Sequence, residues 1–344
     1  MGSNYNLTLQ WNQDYYDKLL PSVFLQGAIF LFGFIGNIIV LMVYFFRMKA
    51  NRDDRYFIPI LAVFDLVAGT VASVFYVLES IYFVDFPSTG LCKGLLFAMT
   101  STSSLSALLL IAIAVQRYLK ICKPLGDQMD EAKRKICLAA IVIFSIVNSC
   151  PVLLFSGNKY IGGEFNGFNV TGWTCFTGSG KYPNYEAIYY YIIFFLMVAN
   201  ILTVAFLYIP IGIQLYRHIK LKDLRRPSMD IASTQFESIS ESKPSDGSTG
   251  EIIRKKTMHA SKINFNSMFL TIIIFYLVSY TPTCVFLIIS KLNHELWYNI
   301  STTEMIIYFI LQRFYVINHV VNPLIYGYYD LKFRKDLVSL FRCS

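Results

Sequence analysis

The sequence predicts an all-α membrane protein, a bundle of seven transmembrane helices followed by a short amphipathic eighth helix. Three observations carry that expectation. Only 15% of the 344 residues are charged while 55% are hydrophobic, and mean hydropathy is +0.48, a balance foreign to ordinary soluble domains. The apolar residues gather in seven blocks, about 21–46, 56–84, 94–119, 136–155, 187–215, 263–289 and 305–328. Each has room for the ~20 residues a helix needs to cross a hydrocarbon core. Lysine and arginine crowd one set of connecting segments and are sparse in the other, which orients the chain.

Taken in order, residues 1–20 are polar and read as an extracellular N-terminus, with the seven-span domain occupying 21–328. The start is not a signal peptide, because the apolar block after it is too long for one. Asn6 stands where a myristoylation signal needs Ser or Thr. In the second block Asp65, Gly69, Ala72, Tyr76 and Glu79 recur at helical spacing on one face. Asp65 falls mid-membrane, where an ionised carboxylate is expensive and needs a partner or a water-filled cavity.

The third block carries no charge from Gly94 to Val115 and ends in Gln116-Arg117-Tyr118. Thr100, Ser101, Thr102, Ser103, Ser104 and Ser106 crowd its first half, a composition that suits a helix packed on all sides by other helices. Ser106, Asn318 and Asn322 lie at the depth of Asp65 in other helices. Together the four could hold a sodium ion or a water cluster in oxygen ligands; a polar packing network without an ion is the alternative. Pro282 in the sixth block and Pro323 in the seventh remove backbone hydrogen bonds and supply two hinges.

With the N-terminus outside, the inner segments hold Arg47, Lys49, Arg52 and Arg55, then Lys120, Lys123, Lys133, Arg134 and Lys135, and further runs after the fifth and seventh blocks. The outer segments hold few lysines, such as Lys18, Lys159, Lys181 and Lys291. The net charge of +8 is thus a topology signal and an attraction to anionic membrane lipid. It is not a nucleic-acid patch, since the basic residues sit at helix ends. Glycosylation sequons at Asn6, Asn169 and Asn299 all fall on segments placed outside. The long inner loop, 222–262, has a Ser-, Thr- and Asp-rich middle, 225–250, expected to be disordered, and Ser228 in it resembles a basophilic kinase site. Residues 329–344 form the eighth helix and a short cytoplasmic tail, whose Cys343 is either palmitoylated or unmodified.

The seven cysteines have no metal-ligand spacing. Cys122, Cys137, Cys150 and Cys284 read as packing residues. Cys92 and Cys175 lie at the outer edge, in the oxidising compartment, where a bridge between them would pin the long loop over the bundle. No cofactor is expected. The histidines have no ligand spacing, and His319, beside the polar network, reads as a packed residue. Without a nucleophile motif or phosphate loop an enzyme is disfavoured, and without internal repeats so is a transporter.

Together these motifs resemble a class A (rhodopsin-like) G-protein-coupled receptor, a divergent and neuropeptide-receptor-like one. The resemblance runs through Gly36-Asn37, Leu61-Ala62-Val63-Phe64-Asp65, Cys92, Gln116-Arg117-Tyr118, Pro282, Asn322-Pro323-Leu324-Ile325-Tyr326 and Phe333-Arg334. It implies the sodium site at Asp65, Ser106, Asn318 and Asn322. It also implies a switch in which Arg117 reaches a heterotrimeric G protein, or Tyr208 and Tyr326, once the helices separate. A plasma-membrane location is implied too, with arrestin and kinases as further partners. This chain departs from the pattern where Gln116 replaces the acid before Arg117, Lys262 replaces an acid at the inner end of the sixth helix, Tyr280 replaces a tryptophan and Asn200 a proline. The first two departures predict ligand-independent signalling.

Met99 stands where amine receptors carry aspartate, and Val316 where opsins carry lysine, so neither an amine nor retinal is expected. Tyr76, Glu79, Met99, Ser103, Trp173, Tyr280, Tyr308 and Gln312 are the candidate ligand-binding residues. An aromatic, mixed-charge vestibule suits a short extracellular peptide, with a small-molecule metabolite or lipid as the alternative. A non-signalling scavenger receptor is the third reading.

Overall fold

The computed structural model describes residues 2–48, 55–178, 182–237, 266–286, 289 and 301–342. The expectations for Lys49, Arg52, Lys181, Lys262, Lys291, Asn299, Cys343 and 238–262 lie outside them. Helix α1 is Gly2–Phe46, α2 Phe57–Ile81, α3 Thr89–Cys122, α4 Glu131–Ser149 and the single turn α5 Val152–Phe155. A hairpin follows, β1 Gly157–Phe165 and β2 Phe168–Phe176. Then come α6 Pro183–Glu237, α7 Asn266–Phe286, α8 Thr302–Arg313, a 3-10 turn Phe314–Ile317, α9 Asn318–Tyr329 and α10 Leu331–Phe341. Six of the described helices are long and apolar enough to cross a membrane. The seventh span is composite, built of α8, the 3-10 turn and α9.

Two features beyond the expected bundle lie at the same end of it. The segment read as a polar N-terminus is helical from Gly2 and runs without a break through Pro21 into the first span. Short isolated helices are marginal, so packing must hold this one. Leu7, Trp11, Tyr15 and Leu19 recur every four residues and form its docking stripe. Trp11 packs with Val84 and Val170. Leu19, fully buried, packs with Met305 and Phe309.

The second feature is a hairpin, an addition to the expected helical bundle. Asn166 and Gly167, both at positive φ (53° and 79°), form its two-residue turn, the geometry that Asn-Gly favours between twisted strands. Trp173 N–H donates to Val84 O and Phe86 N–H to Trp173 O, both at 2.8 Å, so the segment after α2 pairs with β2. Gly172 permits this approach: a Cβ there would lie 2.1 Å from Val84 O. The Cys92–Cys175 disulfide ties β2 to the start of α3.

Helix α6 continues to Glu237, through residues 225–237 that composition assigns to disorder. Lys220, Leu221, Lys222, Leu224, Arg225 and Arg226 are good helix formers that propagate the preceding turn. At the opposite end from the hairpin, Asp330 caps α10 by accepting from Lys332 N–H (3.0 Å) and Phe333 N–H (3.1 Å). The same carboxylate takes a two-pronged ion pair from Arg55, just before α2. Arg47 donates to Ser339 O at 2.8 Å. The eighth helix is thus fixed to the first two spans.

Candidate functional site

Pro323 sets the centre of the site. Having no N–H, it leaves the carbonyl of His319, four residues earlier, without its helical donor. The Asn37 side chain supplies one, Nδ2 to His319 O at 2.8 Å. Asn37 reaches it because α1 and α9 touch at glycines: a Cβ on Gly33 would lie 2.8 Å from Val320, and one on Gly36 3.0 Å from Pro323. The seventh span is thereby placed with its polar face on Asp65, which is 1% exposed. His319 Nδ1 lies 2.9 Å from Asp65 Oδ1, and Asn322 Nδ2 donates to Oδ2 at 2.7 Å. Ser106 and Asn318 are fully buried.

The sequence puts His319 beside this network; the structure places it in direct contact with the carboxylate. The signal is present in the sequence, because His319 and Asn322 are three residues apart and share a helix face. The arrangement fits a sodium ion lodged directly on Asp65 poorly, because each carboxylate oxygen already has a nitrogen partner and an ion would have to share the carboxylate with His319 and Asn322. The cavity that touches Asp65 is about 10 Å³ and lies towards Gly33, Gly69, Ser73 and His319, with Ser106, Asn318 and Asn322 absent from its lining.

Towards the hairpin, a second charged pair lies on the same face of α2. Arg313, 3% exposed, donates through Nη2 to Glu79 at 2.9 Å and through Nη1 to Ser22 at 2.9 Å and Ser80 at 3.2 Å. Its guanidinium lies 4.7 Å from the Tyr76 ring centre and 4.8 Å from that of Phe309. Beneath it runs a ladder of tyrosines. Tyr76 and Tyr315 share a 3.1 Å hydroxyl contact. Tyr315 lies 5.6 Å from Tyr280, and Tyr280 4.7 Å from Tyr276. Tyr276 donates to Asn200 Oδ1, and Asn200 Nδ2 to Ala107 O at 3.2 Å. Asn200 therefore uses the position to bridge α7, α6 and α3 with hydrogen bonds.

Of the expected ligand-binding residues, Tyr76 and Tyr280 are buried in this ladder and Glu79 is committed to Arg313. Met99 and Ser103 are half-buried on α3. Tyr308 packs its ring 5.6 Å from Phe286, and Gln312 is half-buried. Trp173 is half-exposed on the hairpin, edge-on to its cross-strand partner Tyr160 at 5.6 Å. Tyr160 was not expected at the site; only the strand register brings it beside Trp173. The sequon residues Asn6 and Asn169 are exposed on α1 and β2.

At the end opposite the hairpin, Gln116 and Arg117 are buried. The Arg117 guanidinium lies over the ring of Phe269 of α7, 4.0 Å from its centre, a contact that nothing in the sequence motifs anticipates. Tyr118 is half-buried, and Tyr208 and Tyr326 are buried. Pro282 lies within α7 and Pro323 within α9. Leu125, in the loop after α3, is fully exposed.

Residues 36–326, nearly the whole of this bundle, match the family described as 7 transmembrane receptor (rhodopsin family). The chain belongs to that family. It is a receptor family, not one of enzymes, and the chain is a multi-pass membrane protein. This receptor is 25% identical to tachykinin-like peptides receptor 86C of Drosophila melanogaster, over 92% of its own length and 58% of the relative's. It is 23% identical to neuromedin-U receptor 2 of Mus musculus, covering 92% and 74%. It is 29% identical to cephalotocin receptor 2 of Octopus vulgaris, covering 74% and 58%. The receptor spans less than two thirds of the length of the first curated relatives it matches. Squid rhodopsin superposes with a TM-score of 0.65 over 96% of this chain and 86% of that one, at 16% identity, a likeness of fold alone.

Proposed function

We propose that this receptor sits in the plasma membrane with its hairpin end outside, binds a short extracellular peptide there and activates heterotrimeric G proteins. The observation that carries the peptide reading is the hairpin wall. Tyr160 and Trp173 stand half-exposed on one face of the hairpin, while Ile161, Gly163 and Val170 on the other are covered by α1. An extended peptide would lay apolar side chains on such a wall. The names of the relatives point the same way.

Signalling would start when the ligand shifts the outer ends of α7 and α8. The tyrosine ladder is a continuous set of packed rings between Arg313 and the Asn200 bridge, so a shift at one end has a route to the other. Swinging the far end of α7 outward would lift Phe269 off Arg117. That would remove one contact of the arginine, a step towards the G protein beside the exposed Leu125. Two states of this kind are what a ligand can bias.

The test is an intracellular calcium assay in cells expressing the receptor with a promiscuous G protein. Tissue extract is applied before and after protease digestion, with Arg117→Ala as control. A response lost on digestion and lost in the variant is expected. A response that survives digestion would replace the peptide with a small molecule or lipid. Specific binding of extract components without any signal would favour a scavenger receptor.

A further inference from the structure

We propose that His319 takes the cation's place at Asp65, making this a histidine–water site that binds no sodium. The inference is independent of which ligand the receptor binds. An ionised carboxylate only accepts hydrogen bonds, so with Asp65 ionised the 2.9 Å contact needs a hydrogen on His319 Nδ1. Nε2 then accepts in the neutral ring and donates in the charged one. It is buried and, among the described residues, has no hydrogen-bond partner; the same holds for Ser73 Oγ. Both residues line the cavity of about 10 Å³ beside Asp65. That is room for one water, which needs two or more polar partners. A water bonded to both His319 Nε2 and Ser73 Oγ would satisfy both orphans with one molecule, whichever way the ring nitrogen bonds.

The chain still carries the oxygens that the family resemblance assigns to a sodium site. Ser106 Oγ, Asn318 Oδ1 and Asn322 Oδ1 are buried without hydrogen-bond partners among the described residues. Neutral oxygens alone do not compensate an ion for its lost hydration, so the carboxylate decides the competition. His319 holds that carboxylate from within the chain. Asn37 fixes the His319 carbonyl and the close α1–α9 packing fixes its backbone. An ion would have to displace a partner that pays no association entropy.

The experiment measures the thermal unfolding midpoint of the purified full-length receptor in detergent, in sodium chloride and in choline chloride at matched ionic strength. Wild type is expected to have the same Tm in both. His319→Ser clears the carboxylate oxygen and is expected to gain a sodium-specific rise in Tm, which Asp65→Asn added to it abolishes. A sodium-specific rise in wild type that Asp65→Asn removes would overturn the proposal. So would a His319→Ser protein that folds but gains no sodium response, since His319 would then not be the occupant. Should His319→Ser fail to fold, His319→Asn takes its place. Sodium-23 line broadening on wild type is an independent measure: no broadening beyond that of Asp65→Asn is expected, and excess broadening rejects the idea.

Discussion

Two seams of the bundle, that of α2 and that of α7, are joined in different chemistry. Helix α2 and its flank meet the seventh span largely through charged groups, Arg55 with Asp330, Asp65 with His319 and Asn322, and Glu79 with Arg313, with one neutral contact, Tyr76 to Tyr315, between them. Helix α7 meets its neighbours through rings and hydroxyls. These are Phe269 under Arg117, Tyr276 on Asn200, Thr271 to Tyr329 at 3.1 Å and Thr283 to Leu311 O at 3.2 Å. Breaking a buried charge pair strands an unpaired charge, whereas exchanging one neutral hydrogen bond for another costs little net. The first seam should therefore move as one body and the second should be free to change partners. The proposed swing of α7 uses the second.

The largest effect is expected at the charged seam. Arg313→Ala leaves Glu79 buried without its guanidinium and should destabilise the receptor by ~3–5 kcal/mol. Thermal unfolding and surface expression would register this. The double variant with Glu79→Ala should lose clearly less than the sum of the two singles. Tyr276→Phe deprives Asn200 of its donor and should cost ~1–3 kcal/mol. It should also raise ligand-independent calcium signalling, because the α6–α7 bridge is gone. If Tyr276→Phe destabilised as strongly as Arg313→Ala, the contrast between the seams would be wrong.

Phe269→Leu keeps apolar bulk but removes the ring face, a loss of ~0.5–2 kcal/mol. Basal signalling should rise several-fold while Tm falls by less than in Tyr276→Phe. A silent Phe269→Leu receptor would mean that Arg117 is restrained elsewhere. The smallest effect belongs to Lys133→Ala, which breaks an exposed pair with Asp127. Neither Tm nor signalling should change measurably.

The spans, their order and the Asp65 and Arg117 positions were legible in the sequence, because long apolar blocks and intramembrane charges are each confined to a few structural roles. What escaped depends on partners distant in sequence. Phe269 meets Arg117 only once α3 and α7 pack. The helical residues 2–20 looked like a polar tail, because their four-residue stripe has meaning only beside the hairpin. The hairpin was within reach, since Asn166-Gly167 sits between Phe165 and Phe168, but a short period-two segment is a weak signal among apolar blocks long enough to cross a membrane. Asn200 stood out as a missing proline; that it gains a tyrosine partner depended on the α6–α7 register.

The unbroken α1 has a mechanical consequence. Its 45 residues make a rod about 68 Å long at 1.5 Å per residue. Thr8 and Trp11 fasten one end to the hairpin, and Arg47, just past the other end, holds Ser339 of α10. A stiff rod tilted at the top swings at the bottom, so a push on the hairpin becomes a torque on the eighth helix, with Pro21 as the place where the rod would give. Spin labels at Gln10 and Phe46 should change their distances to a fixed label on α3 together on ligand addition; movement at Gln10 alone would mean that the rod bends.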